Sequence, residues 1–533
     1  MIFAQKCRIS NSFFSYLFLK FHIRGAWVDI VGYGVVYAAS IRYCYKVKIA
    51  LMKKVASSIL RLGVMAALAL SVGLVSSCDK QAAEMSVNMT TSTQGAVIYQ
   101  GQTLSFSFAV AEASMEGLEL EAKCDNPDYT VEVKASKATA GGMLYVTAPK
   151  YIFAPATVNV TLTASEASRT SEFKFAVEAR MVDSYVEYTA AANTFLLAPG
   201  AFAKLPAYKG VSKEKLSFAS AELVWQDSKG LVEALVADPS NGAFWVALAK
   251  GVSGNAVVAL KDSEDVIVWS YQLWVSSYDP SAKVMKYTYT PAEGESKTFE
   301  IMDRYLGALS SEAGKESSHG CFYQWGRKDP FPTSTYEAKL KEVYDMKGNV
   351  VEKTVEPCAA ENNIVVSIAN PFTHYSGVSG GNYGWLSNTK TFPKTDEVAD
   401  LWGGLSGTKG IYDPCPEGWM VAPIEAWYFY SDASVVKEKV FADVETPANK
   451  DLLGRNVVIG EDKFWFPAQG EVQHNGKLSS CVGTTWPCAK AWSGTQDTAN
   501  VRAWAASVSP SSTSYKGGLT FGYEVPVRCV KVK

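Results

Sequence analysis

From Ala83 to Ala179 apolar and polar residues alternate in short runs. "TLSFSFAV", "TVEVKA", "MLYVTA", "TVNVTLTA" and "EFKFAVEA" each repeat at period two, and "QGQ", "DNPD" and "AGG" separate them with turn-forming residues. That period sends one row of side chains inward and the next outward, so each run is expected to be a half-buried strand. Strands at this spacing predict a β-sandwich of immunoglobulin type over residues 83–180, although the Cys…Trp…Cys core of antibody domains is missing. Such a module is expected to act as a spacer.

A second β region, residues 181–285, contains "AELVWQDSKGLVEALV", "GAFWVALAK", "GNAVVALKD" and "VIVWSYQLWVSS", with turn chemistry at "DPSNG" and "VSGN". After the acidic turn at Glu264 and Asp265, the run Val266–Val275 is read as a long, largely buried strand. The region is expected to be a second sandwich module. From residue 286 to 533 the character changes. Gly, Trp and Tyr become dense, strands shorten, and loops such as "HYSGVSGGNYGWLSNTKTFPK" lengthen. Loops of this length carry function or are locally stapled. One helix is expected over "APIEAWYFYSDASVVKEKV", with Pro423 in its first turn.

The segment "MKKVASSILRLGVMAALALSVGLVSSC", Met52 to Cys78, has a basic end, an apolar run from Leu62 to Val75 and small residues before a cysteine. That is the order of a secretion signal, and the apolar run is short for a membrane span. "LVSSC" resembles a bacterial lipobox, which implies lipidation of Cys78. The alternatives are an ordinary signal peptide with an incidental cysteine, or a signal-anchor. Residues 1–51 carry seven Lys/Arg and one acidic residue, with no clear helical or strand period. They are expected to be an over-long gene start, with translation beginning at Met52.

Charge sharpens the picture. Ten of the 51 Lys/Arg and one of the 53 Asp/Glu lie before residue 79, which leaves 41 basic against 52 acidic groups, a formal balance of −11. An acidic chain argues against nucleic acid and against a polybasic membrane surface as partners. Membrane attachment is expected through the lipid alone, to which each buried CH₂ contributes about 0.8 kcal/mol. Six of the seven cysteines after Cys78 lie beyond residue 320, and an exported chain can pair them. Cys321, Cys358, Cys415, Cys481, Cys488 and Cys529 allow 15 connectivities. Cys481 and Cys488 could close a small loop, and Cys415 with Cys529 could tie a domain end to its middle. Cys124 stands alone and is expected to be a buried free thiol.

Several stretches of the C-terminal half carry a family likeness. "IMDRYLGAL", "GCFYQWGRKDPFP", "IYDPCPEGWMVAP", "FWFPAQG", "AWSGT" and the terminal "VPVRCVKVK" occur in order. The chain over about 185–533 resembles Bacteroidales surface lipoproteins and fimbrillin-like proteins with a C-terminal domain of the Fibrobacter succinogenes major paralogous type. The resemblance implies a C-type-lectin-like fold and an outer-membrane location. The expected fold class is therefore mainly β N-terminal modules, immunoglobulin-like sandwiches, followed by an α+β C-type-lectin-like domain over 286–533. "GWMVAPIEAW" also echoes the signature of formylglycine-generating enzymes. Met420, Val421 and Ala422 replace that family's Arg, Leu and Pro, so the echo implies fold rather than chemistry.

Catalysis finds little support. His319, His374 and His474 are 55 and 100 residues apart, and no H-x-x-x-H or H-E-x-x-H occurs, so neither a metal nor another cofactor is expected. "GVSGG" places Ser379 in a G-x-S-x-G, but its flanks read as loop rather than the strand and helix a nucleophile elbow needs. The E-P-N, Q-P-D and W-N-D segments of calcium-dependent lectins are absent. Calcium-free recognition is better placed, because large rings among small polar residues bury much area at low entropy cost. Tyr383, Trp385, Trp402, Trp486 and Trp492, with Trp504, lie in such surroundings, and Tyr383 with Trp385 is the pair expected to be most exposed. The reading is a lipid-anchored recognition protein of the cell outer membrane, binding a glycan or a surface protein. The alternative is a structural fimbrial or tip subunit with pilus partners. Mass spectrometry of the protein from cells is expected to find no peptide from residues 1–51; such peptides would place the start upstream of Met52.

Overall fold

The computed structural model describes residues 84–181, 184–336, 339–359, 363–377, 384–386, 400–404, 406–441, 452–479, 489–497, 502–508 and 513–532, with the backbone of 15–23 and 26–34. The chain divides into two compact units, Met1–Glu84 and Met85–Lys533. In the first, β1 (Ser15–Ile23) and β2 (Ala26–Gly34) pair antiparallel, Ser15 opposite Gly34. No period marks these strands in the sequence; their aromatic and β-branched residues suit a sheet regardless. Cys78 lies outside the described residues.

The second unit begins with a sandwich of eight strands: β3 (Ser86–Met89), β4 (Val97–Tyr99), β5 (Thr103–Ala111), β6 (Leu118–Cys124), β7 (Thr130–Ala135), β8 (Gly141–Thr147), β9 (Ala156–Glu166) and β10 (Arg169–Arg180). One sheet runs β3-β5-β8-β7 and the other β4-β10-β9-β6. Phe106, Phe108 and Val110 on β5 meet Val158, Val160, Leu162 and Ala164 on β9, the alternate positions that the period-two pattern marks as inward. Cys124 is a free thiol, half-buried rather than enclosed, and its Sγ donates to Asn126 O at 3.1 Å.

A second sandwich follows: β11 (Val186–Glu187), β12 (Thr194–Leu197), β13 (Phe202–Pro206), β14 (Ser220–Gln226), β15 (Val232–Asp238), β16 (Ala243–Leu248), β17 (Gly254–Lys261) and β18 (Ile267–Val275). Its sheets are β11-β13-β16-β15 and β12-β18-β17-β14, around Phe195, Leu205, Phe244, Val246, Val258, Tyr271 and Leu273. Every residue of β16 is buried, as is every residue of β17 except Lys261. The expected long buried strand is β18. Such continuous burial needs cover on both faces of each sheet. The outer face of the first meets the preceding module, where Phe202 and Trp245 stack at 5.4 Å beside Tyr151 and Phe153, and Lys150 Nζ pairs with Glu233 at 2.6 Å.

The outer face of the other sheet is equally buried and mixes apolar residues, Trp225, Val257 and Trp274, with polar ones. Asn193 Nδ2 donates to Ile411 O and Asp413 O, each at 2.9 Å, and Trp269 Nε1 donates to Asn193 Oδ1 at 3.1 Å. The Thr194 hydroxyl lies within reach of Gln272 Oε1 and Pro414 O. Gln272 Nε2 donates to Asn255 Oδ1 at 3.0 Å, the Tyr323 hydroxyl donates to Gln272 Oε1, and Asn255 Nδ2 donates to Gly307 O at 2.9 Å. The described part of residues 284–533 therefore docks on the second sandwich through a seam in which hydrogen-bonded amides and hydroxyls lie among apolar contacts.

The described part of residues 284–533 is mostly β. Val284–Tyr289, Lys297–Met302, Cys529–Lys531 and Trp419–Val421 form one sheet, so the end of the chain returns beside the region's first strands. Cys415 and Cys529 are disulfide-bonded, Cα atoms 6.0 Å apart, and close a separation of 114 residues. Chain entropy assigns such a closure roughly 4–5 kcal/mol. Cys321 and Cys358, also candidates for pairing, are buried free thiols instead. Cys321 Sγ packs against Gly307, while Cys358 Sγ donates to Gly384 O at 3.3 Å. Cys481 and Cys488 lie outside the described residues.

The α component is smaller than expected: among the described residues the one α-helix here is Asn363–Ala369. The helix expected around residues 422–440 is a 3-10 helix, Ile424–Tyr430, followed by a strand, Val436–Phe441. Trp427, Phe429 and Tyr430 are all buried, more closely spaced than one helical face allows. Asp432 Oδ1 then accepts the Ser434 N–H, and Lys437 Nζ caps Phe429 O and Asp432 O at 3.1 and 2.6 Å, which ends the helix and turns the chain. No helix among the described residues is long and apolar enough to cross a membrane. Asn255→Ala strands Gly307 O and Gln272 Nε2 in the seam, and is expected to cost about 3 kcal/mol in denaturant unfolding of the full chain.

Candidate functional site

The aromatic site expected from the sequence does not assemble. Trp385 is 1 % exposed and Trp402 is fully buried. Both belong to the core cluster around Trp325, Phe521 and Tyr323. Trp385 Nε1 donates to Trp325 O at 2.7 Å and Trp402 Nε1 to Arg327 O at 3.2 Å. These rings close a core whose strands are short, so both are held inside it rather than displayed. Trp492 lies on the strand Ala489–Asp497 with its backbone opposite Ala505. Tyr383, Trp486 and Ser379 lie outside the described residues. Trp504 is half-buried, with Lys516 Nζ 4.7 Å from its ring centre.

His319 stands apart from the other two histidines, and no group of three His, Cys, Asp or Glu suited to a metal occurs among the described residues. His374 is buried: Nδ1 lies 2.6 Å from Glu524 Oε1, and Nε2 is 3.2 Å from His474 O. Lys353 Nζ completes this cluster at 3.0 Å from Glu524. Burial pushes the Glu524 carboxyl up, but Lys353 and His374 outweigh it and hold it below the ordinary range. The cluster is a satisfied structural ion network with no cavity beside it among those described.

His319 is different. It lies in a cavity of ≈240 Å³ where the second sandwich meets the C-terminal region. One wall is Asp227, which follows β14, and Asn255 of β17. The opposite wall is the 3-10 turn Glu316–Ser318 and the segment Thr333–Thr335, with Gly307 and Leu309 between them and Lys341 at the edge. Asp227 is nearly buried. Its Oδ1 accepts the Asn255 N–H at 2.8 Å, and its Oδ2 lies 3.5 Å from Lys341 Nζ. The Gly307 backbone has φ +85°, and a Cβ there would sit 2.6 Å from Cys321 Sγ and 3.0 Å from Asn255 Oδ1. Only glycine fits that corner.

The floor is held from below. Gln469 accepts the Gly320 N–H and donates to Gly320 O, both at 2.7 Å, and its own carbonyl accepts the Ser334 hydroxyl. A Cβ at Gly320 would meet Tyr305 Cβ at 2.5 Å, so this backbone also needs glycine. Trp465 Nε1 donates to Ser318 Oγ at 2.8 Å. The "GCFYQWG" and "FWFPAQG" segments thus position His319 without lining the cavity themselves. His319 is 3 % exposed, with Nδ1 at 2.8 Å from Ser334 O. A carbonyl only accepts, so Nδ1 carries the proton and Nε2 keeps its lone pair. Burial pulls the imidazole below its ordinary value, against the opposing pull of Ser334 O, which favours this neutral form. Nε2 and the Thr335 hydroxyl are both buried without a hydrogen-bond partner among the described residues.

A larger hollow of ≈760 Å³ lies over Lys297–Glu300, Met420 and Lys531. Its charges already pair, Lys531 with Glu300 at 3.5 Å and Lys297 with Glu425 at 3.7 Å. Of the two, the smaller cavity is the one that brings a histidine together with a buried carboxylate, Asp227. Sequence reasoning weighed His319 only as a metal ligand and passed over Asp227, Thr335 and Lys341. The one available signal was the closeness of His319, Thr335 and Lys341 to the "GCFYQWGRKDPFP" segment; Asp227 had none.

No family model matches the chain, and no curated protein matches it. Among solved structures, a chimeric titin Z1Z2 is 17% identical over 18% of this chain and 95% of its own, with a TM-score of 0.14. Fibronectin(III)-like modules of Clostridium thermocellum CbhA are 19% identical over 36% and 92%, TM-score 0.14. The endo-fucoidan hydrolase MfFcnA4_H294Q is 8% identical over 50% and 34%, TM-score 0.19. Likeness at these scores carries no argument about this chain, whose sandwiches rest on their own strand pairing. Trp385→Ala is expected to lower stability by about 4 kcal/mol in denaturant unfolding, as the loss of a core ring does; an unchanged midpoint would return Trp385 to the surface.

Proposed function

We propose that the protein is a lipid-anchored recognition protein of the bacterial cell surface, attached through Cys78, whose C-terminal region binds a glycan or a surface protein. In this reading the two sandwiches, immunoglobulin-like, carry a C-type-lectin-like region away from the outer membrane. The observation that carries it is the cavity at His319, built jointly by the second sandwich and the C-terminal region, with Asp227, Glu316, Thr335 and Lys341 among its lining residues. A concave site with a few convergent polar groups is the form that ligand recognition takes. The motifs that flank the cavity, and the return of the terminal strand Cys529–Lys531 to Lys297–Met302, support the lectin-like reading of the region. Catalysis has no comparable support. Burial pushes the Cys321 thiol well above its ordinary value, which leaves it protonated and inert.

The test is a screen of the purified full chain against glycan and mucin arrays, with and without calcium, together with its oligomeric state. Saturable, calcium-independent binding by a monomer is the expected result. A blank screen with co-purifying pilus material would replace this reading with the structural one, a fimbrial or tip subunit joined by strand donation.

A further inference from the structure

His374 lies on the strand Thr373–Ser376 with no exposed surface, and each of its ring nitrogens faces an oxygen. Nδ1 is 2.6 Å from Glu524 Oε1, and Nε2 is 3.2 Å from the backbone carbonyl of His474. A carbonyl and an ionised carboxylate accept hydrogen bonds and donate none. Lys353 Nζ lies 3.0 and 3.2 Å from the two Glu524 oxygens and helps to keep that carboxyl ionised. Both ring nitrogens therefore carry a proton in this arrangement, and the ring is an imidazolium. We propose that His374 is a proton-operated latch. As an imidazolium it ties the turn Gln473–Lys477 to the strand Thr373–Ser376, and the turn is released when the ring loses a proton.

The release follows from what a neutral ring would face. One tautomer points a lone pair at Glu524 Oε1, the other at His474 O. The hydrogen bond to the carboxylate is the stronger of the two, so Nδ1 keeps its proton and the contact with His474 O is the one lost. The turn is seated directly on this contact. It is closed by Gln473 N–H to Lys477 O and by Gly476 N–H to Gln473 O, both at 2.8 Å. Gly476 has φ +78°, and a Cβ there would sit 2.7 Å from Val355 Cγ2 and 3.4 Å from His374 Cδ2. The strand beneath is fixed by its parallel pairing, Val355 opposite His374, so the turn is the part that yields.

The surrounding charges explain why the proton is labile. Glu524 is shared by His374 and Lys353, and Arg327 is near enough to feel its charge. Of these cations the imidazole is the weakest base, with an ordinary value of about 6.5 against about 10.4 for lysine and above about 12 for arginine. The cluster therefore sheds positive charge through His374. Other charged groups on the packed elements face elsewhere. Glu356 and Lys477 are exposed, and Glu471 lies on the opposite strand face from Val472, the residue that pairs with Glu524. Burial and the neighbouring His374 charge pull the His474 ring, which packs 5.8 Å from Tyr523, below its ordinary value. The two imidazoles thus do not charge together.

The experiment is an NMR titration of the purified full chain, with nitrogen-labelled histidine and glycine, from about pH 5 to about pH 9, a range that brackets the ordinary imidazole value. Both His374 nitrogens are expected to be protonated at the acid end. As the pH rises, Nε2 is expected to lose its proton while Nδ1 keeps its own, and the Gly476 amide is expected to shift with the same midpoint. His374→Gln, which does not titrate, is expected to abolish that shift. Glu524→Gln is the sharper variant. Its amide can donate to Nδ1, so a neutral ring keeps its Nε2–H on His474 O, and the Gly476 amide is expected to stay in place as the pH rises. Loss of the proton from Nδ1 first would overturn the proposal. So would a Gly476 signal that ignores the His374 titration, or a ring that keeps both protons at the alkaline end. The unsubstituted chain decides these points even where Glu524→Gln does not fold.

Discussion

A sheet buried on both faces needs polar groups on one of them if that face is to say where its partner sits. In β12-β18-β17-β14 the inner face is packed with Phe195, Leu223, Val258 and Leu273, and the outer face carries Thr194, Ser270, Gln272 and Asn255 among the apolar Trp225, Val257 and Trp274. Each of these amides and hydroxyls would cost about 1–3 kcal/mol if buried without a partner. The partners are remote in sequence: Pro414 is 220 residues from Thr194, and Gly307 is 52 from Asn255. The seam therefore fixes both the docking of the C-terminal region and its register, since a small slide would strand several amides together. Apolar contact alone tolerates such a slide. Asn255 also belongs to the wall of the cavity, so the interaction that joins the two halves shapes the candidate site.

The ordered motifs acquire a physical meaning in this setting. Arg327 is buried and donates to Gln324 Oε1 at 2.9 Å and to the carbonyls of Thr373 and Pro371 at 2.6 and 3.2 Å. Lys328 reaches Ser270 O at 3.1 Å and pairs with Asp329 at 2.6 Å, under the outer face of β18. Asp413 accepts the N–H groups of Cys415 and Val421 at 2.8 and 2.7 Å and holds the turn that sets Cys415 against Cys529. Burial pushes its carboxyl up while Lys409 pulls the other way. These charged residues are the polar part of a core. Residues spaced like a signature can thus be scaffold, and the chemistry then lies with neighbours that no motif contains.

How much was legible follows from how each segment meets water. The first sandwich is wet on its outer faces, so β5, β7, β8, β9 and β10 show their period and were placed from the sequence, while β3, β4 and β6 were not read. The second is buried on both sides, and its strands read as continuous apolar runs, still recognisable as strands by length and β-branching. Loops give no such signal. Trp385 and Trp402 stand among glycines and serines like exposed rings, yet Trp325 and Phe521, far off in sequence, lie ready to cover them. Around residues 422–440 the preference for helix was real, but the burial of three large rings in four positions and the Lys437 cap took precedence.

Taken alone, the sequence determined the β-rich class and the run of strands in the first two modules, because alternation and turn residues are local properties, while Cys415 with Cys529 was one pairing among several. It also determined the acidic balance of the chain. Only the tertiary structure decided which aromatics are core, that Cys321 and Cys358 stay apart, and that Asp227, His319 and Thr335 share one cavity. Those outcomes depend on which surfaces face each other across hundreds of residues. Whether a side chain is buried, paired or left with an unused lone pair is a property of the contact, and no stretch of chain contains it.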